Sequence, residues 1–442
     1  MLLVGNGILI TRDPAQPFFQ DGCVAIQDNL VLEVGSTAEL KTKYPQARFI
    51  DAKGRVIMPG LINTHMHFYS TFARGMALKD APPTNFKEIL ERLWWRLDKV
   101  LTLEDVYYSA LVPMLDCIKN GTTTVFDHHA SPGAVRGSLF AIADAAKKVG
   151  LRTCLCYEVS DRDGEEIADQ GIAENAEFIK HCASAQDDML KGMFGLHASL
   201  TLSDRTLEKC REANEGTGVG FHIHTAEGVE DVEDSLAKSG KRVVERLADF
   251  GILGPKTITA HCVHVSEKEI ELLKESKSNV VHNPESNMGN AVGCAPVLNM
   301  MAKNVRVGLG TDGYTSDMFE SYKVANILHK FNAKHPSVAW VEAPTMLFEN
   351  NVAIAAEYFP RTVGRIVPGA YADVIIVDYN PPTAMGPDNL NGHILFGMSG
   401  RSVDTTIING KVVMEERQLV GINEAEIIAK SRELAQKVWE RF

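Results

Sequence analysis

The chain predicts an α/β protein: a (β/α)₈ barrel of TIM type with a small β-sandwich domain built from both chain ends. Three observations carry this. Through the middle of the chain, short apolar runs alternate with amphipathic stretches of helical length. Nearly every run ends in His, Asp or Glu, and the C-terminal ends of barrel strands are where this fold builds its active sites. Segments with strand-like patterning and strong turns lie near both ends of the chain.

The elements follow in order. Residues 1–54 are expected to form the first part of the β-sandwich, with two short strands between Gly22 and Gly35 around an Asp28-Asn29 turn. Residues 55–363 are expected to form the barrel. Its runs are VIMPGLINTHMH, TTTVFDHH, TCLCYEV, GMFGLHA, GVGFHIHTAE, TITAHCVH, NVVHNPESN and RVGLGTDG. Eight runs over roughly 300 residues suit a fold of about 250 residues with room for insertions. Residues 364–420 are expected to complete the β-sandwich, with Asn409-Gly410 as a hairpin turn. Residues 421–442 predict a terminal helix, with Ile427, Leu434 and Val438 at helical spacing.

Composition narrows the class. The chain has 442 residues, 45% hydrophobic and 23% charged, which is ordinary for a soluble globular protein large enough to bury a core without disulfides. A net charge of -12 argues against a nucleic-acid partner, since phosphate binding wants a basic surface. The eight cysteines form no C-x-x-C pair and read as thiols in a reducing compartment. The opening MLLVGNGILITRD lacks a basic leader and a long apolar stretch, so a cytoplasmic protein without a membrane span is expected.

His65 and His67 lie two apart on a strand, so both point to one face and could reach one metal. His224, His261 and Asp312 stand at the ends of three further runs. Strand ends that supply several imidazoles and a carboxylate offer a ligand set for Zn²⁺, with Fe²⁺ as the alternative.

The motifs PGLINTH, HTAE, AHC, HNPESN and GTDG, in that order, resemble the amidohydrolase superfamily, in particular its mononuclear metal-dependent aminohydrolases, the deaminases and chlorohydrolases. FYSTFARGM, LWWRLD, DHHASP and SDMFE are similar to the SsnA-type aminohydrolases, which are linked to selenium metabolism by association. The resemblance implies His65, His67, His224 and Asp312 as ligands of one divalent metal, zinc before iron. The fourth run ends in His197 rather than in the lysine of the binuclear members.

It also implies Glu227, His261 and Asp312 as the catalytic groups. A bound metal lowers the pKa of water from about 15.7 to about 7. Asp312 can take a proton from that water and His261 can orient it. Glu227 can protonate a ring nitrogen and then pass a proton to departing ammonia, which needs a carboxyl raised toward neutrality by burial. The implied reaction is hydrolytic deamination of a heterocyclic or amidine-like small molecule. The alternatives are another C–N or C–Cl hydrolysis, such as cyclic amide opening or dechlorination, or a non-catalytic accessory role in selenium metabolism. A homo-oligomer, a dimer, is the expected assembly.

Further candidates come from strand ends and loops. His197 and His282 are expected to touch substrate, Glu158 to bind a substrate amine, and Arg74 to clamp an anionic group. Asp127, His128 and His129 cluster after the second run, and which of them faces inward is open. Trp94 and Trp95 read as a core or interface pair. His222, two residues before His224 on the same strand face, reads as a satisfied core histidine.

Overall fold

The computed structural model describes residues 1–442. Five strands come from the N-terminal segment: β1 (Leu2–Ile10), β2 (Phe18–Gln27), β3 (Leu30–Ser36), β4 (Arg48–Asp51) and β5 (Val56–Pro59). β1, β2 and β3 form an antiparallel meander, and β4 and β5 add parallel to β1. The β2–β3 turn falls at the expected Asp28-Asn29 step, with Asp28 at a φ of 54°.

The chain then turns at Gly60, where a Cβ would stand 2.2 Å from the Thr123 side chain, so only glycine allows this approach. β6 (Leu61–Met66), β7 (Thr122–His129), β8 (Arg152–Tyr157) and β9 (Leu190–Gly192) form one parallel sheet. β10 (Phe194–Ala198), β11 (Phe221–Thr225), β12 (Ile258–His261), β13 (Asn279–His282) and β14 (Val307–Leu309) form a second. All eight apolar runs therefore become strands, the first split between β5 and β6 and the fourth between β9 and β10. β7 and β8 are buried along their whole length, as strands covered on both faces must be.

The two parallel sheets meet at two seams. Thr311 and Asp312 both donate their N–H to His65 O at 3.0 Å, beside a parallel bridge between Met66 and Asp312. At the other seam Val159 bridges Leu196, and His197 N donates to Val159 O at 2.9 Å. Helices follow the strands, and their starts are written in the sequence. Thr102 with Asp105 and Ser266 with Glu269 form reciprocal capping boxes for Leu103–Lys119 and Glu267–Ser276.

The C-terminal strands return to the first sheet as β15 (Val374–Val377), β16 (Val403–Ile408), β17 (Lys411–Glu415) and β18 (Gln418–Leu419). Asn409 and Gly410 turn β16 into β17 with φ of 52° and 75°, the paired positive values a tight hairpin requires. Where two packed sheets were expected, the strands of both ends form one connected sheet of nine. The reason is β5, which pairs with β1 on one side and β15 on the other. β5 lies beyond the expected boundary at residue 54 and belongs to this sheet by its pairing.

The terminal helix Glu424–Arg441 buries Ile427, Leu434 and Val438 as its spacing predicts. Its Trp439 indole N–H donates to Phe72 O at 2.7 Å. No helix is long and apolar enough to cross a membrane.

Candidate active site

The C-terminal ends of the parallel strands bring His65 and His67 (end of β6), His224 (β11), His261 (β12) and Asp312 (after β14) together. His67 and His224 each donate Nδ1–H to a main-chain carbonyl, of His128 at 2.5 Å and of His197 at 2.9 Å. The His224 Nε2 therefore carries a lone pair, and it stands 3.0 Å from His67 Nε2. His65 Nδ1 lies 2.8 Å from His222 Nε2, while His65 Nε2 is buried without a hydrogen-bond partner. Burial pushes His65 well below the ordinary imidazole pKa, so it offers a lone pair as well. Asp312 Oδ1 sits 2.9 Å from His67 Nε2 and 3.7 Å from His65 Nε2. Burial works against a charged imidazole at His67, yet Asp312 and Glu158 hold its pKa well above the ordinary value. Three facing imidazoles and a carboxylate that draws positive charge fit a divalent cation. His128 lies within the same reach, its ring stacked on His222 at 4.4 Å.

Glu227, His261 and Asp312 surround an adjacent point. Glu227 Oε2 is 3.4 Å from His261 Nε2, which is 3.8 Å from Asp312 Oδ2. Burial first, and then the Asp312 charge, push the Glu227 carboxyl well above its usual range. Against the cost of burial, His67, His261 and His224 hold the Asp312 carboxyl well below its usual range. His261 and Asp312 occupy left-handed backbone positions, φ 72° and 55°, which non-glycine residues hold only where the surrounding structure enforces them.

One short helix, Pro284–Gly289, and the residue after it supply the supports. Ser286 Oγ donates to Asp312 Oδ2 at 2.5 Å, Asn287 Oδ1 accepts from His261 Nδ1 at 2.8 Å, and Asn290 Nδ2 donates to Glu227 Oε1 at 3.4 Å.

These groups open into a cleft of about 730 Å³, counting the part open to solvent. His197 lies on its wall as expected, with Nδ1 2.7 Å from Thr201 Oγ1. The structure places three other expected substrate contacts off this wall. Glu158 is buried behind His67 and does not line the cleft. Its Oε1 is 3.2 Å from His67 Nδ1 and 3.5 Å from His128 Nδ1, because the chain leaving β8 passes beneath the ligand layer. His282 is fully enclosed, with Nε2 3.2 Å from His329 Nε2 on the helix Met318–Ala333. Arg74 does not approach the site. The turn Phe68–Ala73 buries Phe68 and Phe72 and delivers Arg74 to the surface, 3.3 Å from Asp116.

The structure also shows what sequence reasoning missed. Phe86, Leu90, Trp94 and Asp98 recur every four residues and line the cleft together with Trp95. That spacing was a usable signal. The π-helical turn Leu90–Trp94 brings both tryptophans to the same wall. The Asp98 carboxyl is buried beside Arg162 and pushed up to about 6 by that burial. Asp127 is buried, accepting from Phe68 N at 2.7 Å, and His129 is held by Ser131 at 2.9 Å.

Parallel strands that carry histidines and a carboxylate at their C-terminal mouths suit a metal-dependent hydrolase. Comparison gives the family. The model described as "Amidohydrolase family" matches residues 56–413, and the chain belongs to that family. Residues 22–47 match an imidazolonepropionase-like composite domain of bacteria. The chain is 34% identical over 447 residues to a 5'-deoxyadenosine deaminase of Methanosarcina mazei, covering 100% of this chain and 99% of that protein. It is 33% identical over 445 residues to a 5-methylthioadenosine/S-adenosylhomocysteine deaminase of Pelotomaculum thermopropionicum, with coverage of 100% and 99%. In structure it is similar to a zinc-bound adenosine deaminase from Xanthomonas campestris, with a TM-score of 0.87, 24% identity and coverage of 99% and 98%. A zinc complex of an atrazine chlorohydrolase from Arthrobacter aurescens shares the fold at a TM-score of 0.83, 19% identity and coverage of 98% and 100%. The chain is a hydrolase acting on C–N bonds, and its clustered histidines with Asp312 could hold a divalent metal.

Proposed function

We propose that this chain hydrolytically deaminates a 6-aminopurine nucleoside, with 5'-deoxyadenosine and methylthioadenosine as the first candidates. The observation that carries this reading is Glu227, a buried carboxyl 3.4 Å from His261 that lines a partly aromatic cleft together with Asp312. The names of the full-length relatives support the substrate class. We read the two parallel sheets as one closed eight-strand barrel, supported by their two hydrogen-bonded seams.

In this reading His65, His67, His224 and Asp312 hold the metal. Zinc, when bound, supplies a Lewis acid that makes water a nucleophile near neutral pH. His261 Nε2 and Asp312 Oδ2 hold the protons of the attacking water, and Asp312 takes one as the C–O bond forms. Glu227 gives its proton to the ring nitrogen next to the carbon under attack. As a carboxylate it then takes the proton left on the added hydroxyl and passes it to the departing amine, so that ammonia leaves, the ring keeps the oxygen, and Asp312 returns its proton to Glu227. Trp94, Trp95, Phe86 and Tyr69 supply apolar wall for a planar base and limit water at the reacting carbon.

The test is ammonia release by zinc-loaded protein. The panel is adenosine derivatives, guanine, pterins, pyrimidines and a chlorinated triazine, with Glu227→Gln as the blank. Release is expected from the adenosine derivatives, falling by about 10²-fold or more in the variant while zinc is retained. Release from another ring alone would overturn the substrate class. Undiminished turnover by Glu227→Gln would remove the role given to that carboxyl.

A further inference from the structure

Asp231 is buried on the first turn of the helix Val229–Ser239 and lines the cleft. An acidic residue there ordinarily serves its own helix N-terminus. This one does not: both carboxylate oxygens leave the helix. Oδ2 accepts from Ala226 N at 2.9 Å, and Oδ1 accepts from Leu200 N at 2.9 Å. Leu200 belongs to the turn Ser199–Thr201 that follows β10, so one carboxylate ties together the exits of β10 and β11.

The bond to Ala226 matters most. Ala226 stands in the left-handed region, at a φ of 47°, between the strand that carries His224 and Glu227 itself. A side chain disfavours that conformation, and it persists only where bonds enforce it. Asp231 holds the N–H of Ala226, and His264 N holds its carbonyl at 2.9 Å. The Ala226 torsion sets the direction in which the next residue leaves the strand, and so the aim of the Glu227 carboxyl.

We propose that Asp231 is a positioning residue for Glu227, locking the strained Ala226 turn so that the Glu227 carboxyl meets the reacting ring. This rests on Glu227 acting as the acid–base of the proposed deamination.

The experiment is a double-mutant cycle on zinc-loaded protein, with Asp231→Ala and Asp231→Asn in the wild-type and Glu227→Gln backgrounds. Displacement of a catalytic group by about 1 Å costs up to about 10²-fold, so Asp231→Ala is expected to lower kcat by about 10- to 100-fold with zinc content unchanged. Asp231→Asn keeps one acceptor oxygen and is expected to fall between. With Glu227 already replaced, Asp231→Ala should cost less than about twofold more, because residues that act as one unit are not additive. A full additive loss in that background, or a normal kcat for Asp231→Ala, would overturn the proposal. Hydrogen exchange of peptides covering residues 198–203 and 224–229 gives a readout that needs no substrate: Asp231→Ala is expected to lose protection in both, and unchanged protection would also overturn it. If wild-type enzyme releases ammonia from no aminopurine, the proposed function fails, while the exchange result still decides whether Asp231 holds the turn.

Discussion

The Nε2 atoms of His67 and His224 stand 3.0 Å apart, each ring held in place by an Nδ1–H donated to a main-chain carbonyl. Two ring nitrogens held that close can serve one cation.

Metal removal therefore has a direct expectation. The protein should bind about one zinc per chain, and a metal held 100-fold above its Kd should stabilise the fold by about 2.7 kcal/mol. His224→Ala should lose both the zinc and the rise in Tm on adding it. Normal zinc content in that variant, measured by elemental analysis, would contradict the ligand set.

If His67 ligates the metal as proposed, Glu158 stands behind it in the pattern of a carboxylate supporting a ligating imidazole. Glu158→Gln should weaken zinc affinity by about 10- to 100-fold in a chelator competition. An unchanged affinity together with a raised KM would return Glu158 to the substrate.

Arg74 and Asp116 form an exposed pair. Such pairs contribute little, so Arg74→Ala should leave kcat/KM within about twofold and shift stability by no more than about 0.5 kcal/mol. A tenfold rise in KM would show that the arginine reaches the ligand after all.

Glu285 gives a pH test away from the metal ligands. Burial pushes its carboxyl from 4.5 up to about 7, while Ser321 Oγ donates to it at 3.0 Å. Below the unfolded pKa both states are protonated. Between about 4.5 and about 7 the folded state keeps a proton that the unfolded chain has lost, so this group lowers stability as pH rises through that window. Glu285→Gln is spared the loss. Its Tm relative to wild type should climb across that window and level off above it. A difference independent of pH would refute the shift.

The ligand cluster was legible because two periodicities coincide: H-x-H places two rings on one strand face, and the apolar runs stop where the polar groups begin. Depth within the barrel was not legible. Glu158 and His282 end their runs just as His197 does, yet only His197 reaches the cleft wall, because where each exit passes relative to the ligand layer is set by packing. Arg74 was misplaced because its short loop turns on two buried phenylalanines. Trp94 and Trp95 pack against the core as read and also line the cleft, a double role that the spacing of Phe86, Leu90, Trp94 and Asp98 could have signalled. The end domain was legible as β structure from its turns, while its joining into one sheet depended on a pairing between distant segments.

That pairing orders events in time. β5 is hydrogen-bonded on one side to β1, made before it, and on the other to β15, made only after the whole catalytic segment. While the chain is emerging from the ribosome, the outer edge of β5 has no partner, and an open edge invites pairing with a stranger. The last strands thus act as a seal. A chain interrupted before β15 keeps its histidines and carboxylates but leaves one edge of β5 unpaired.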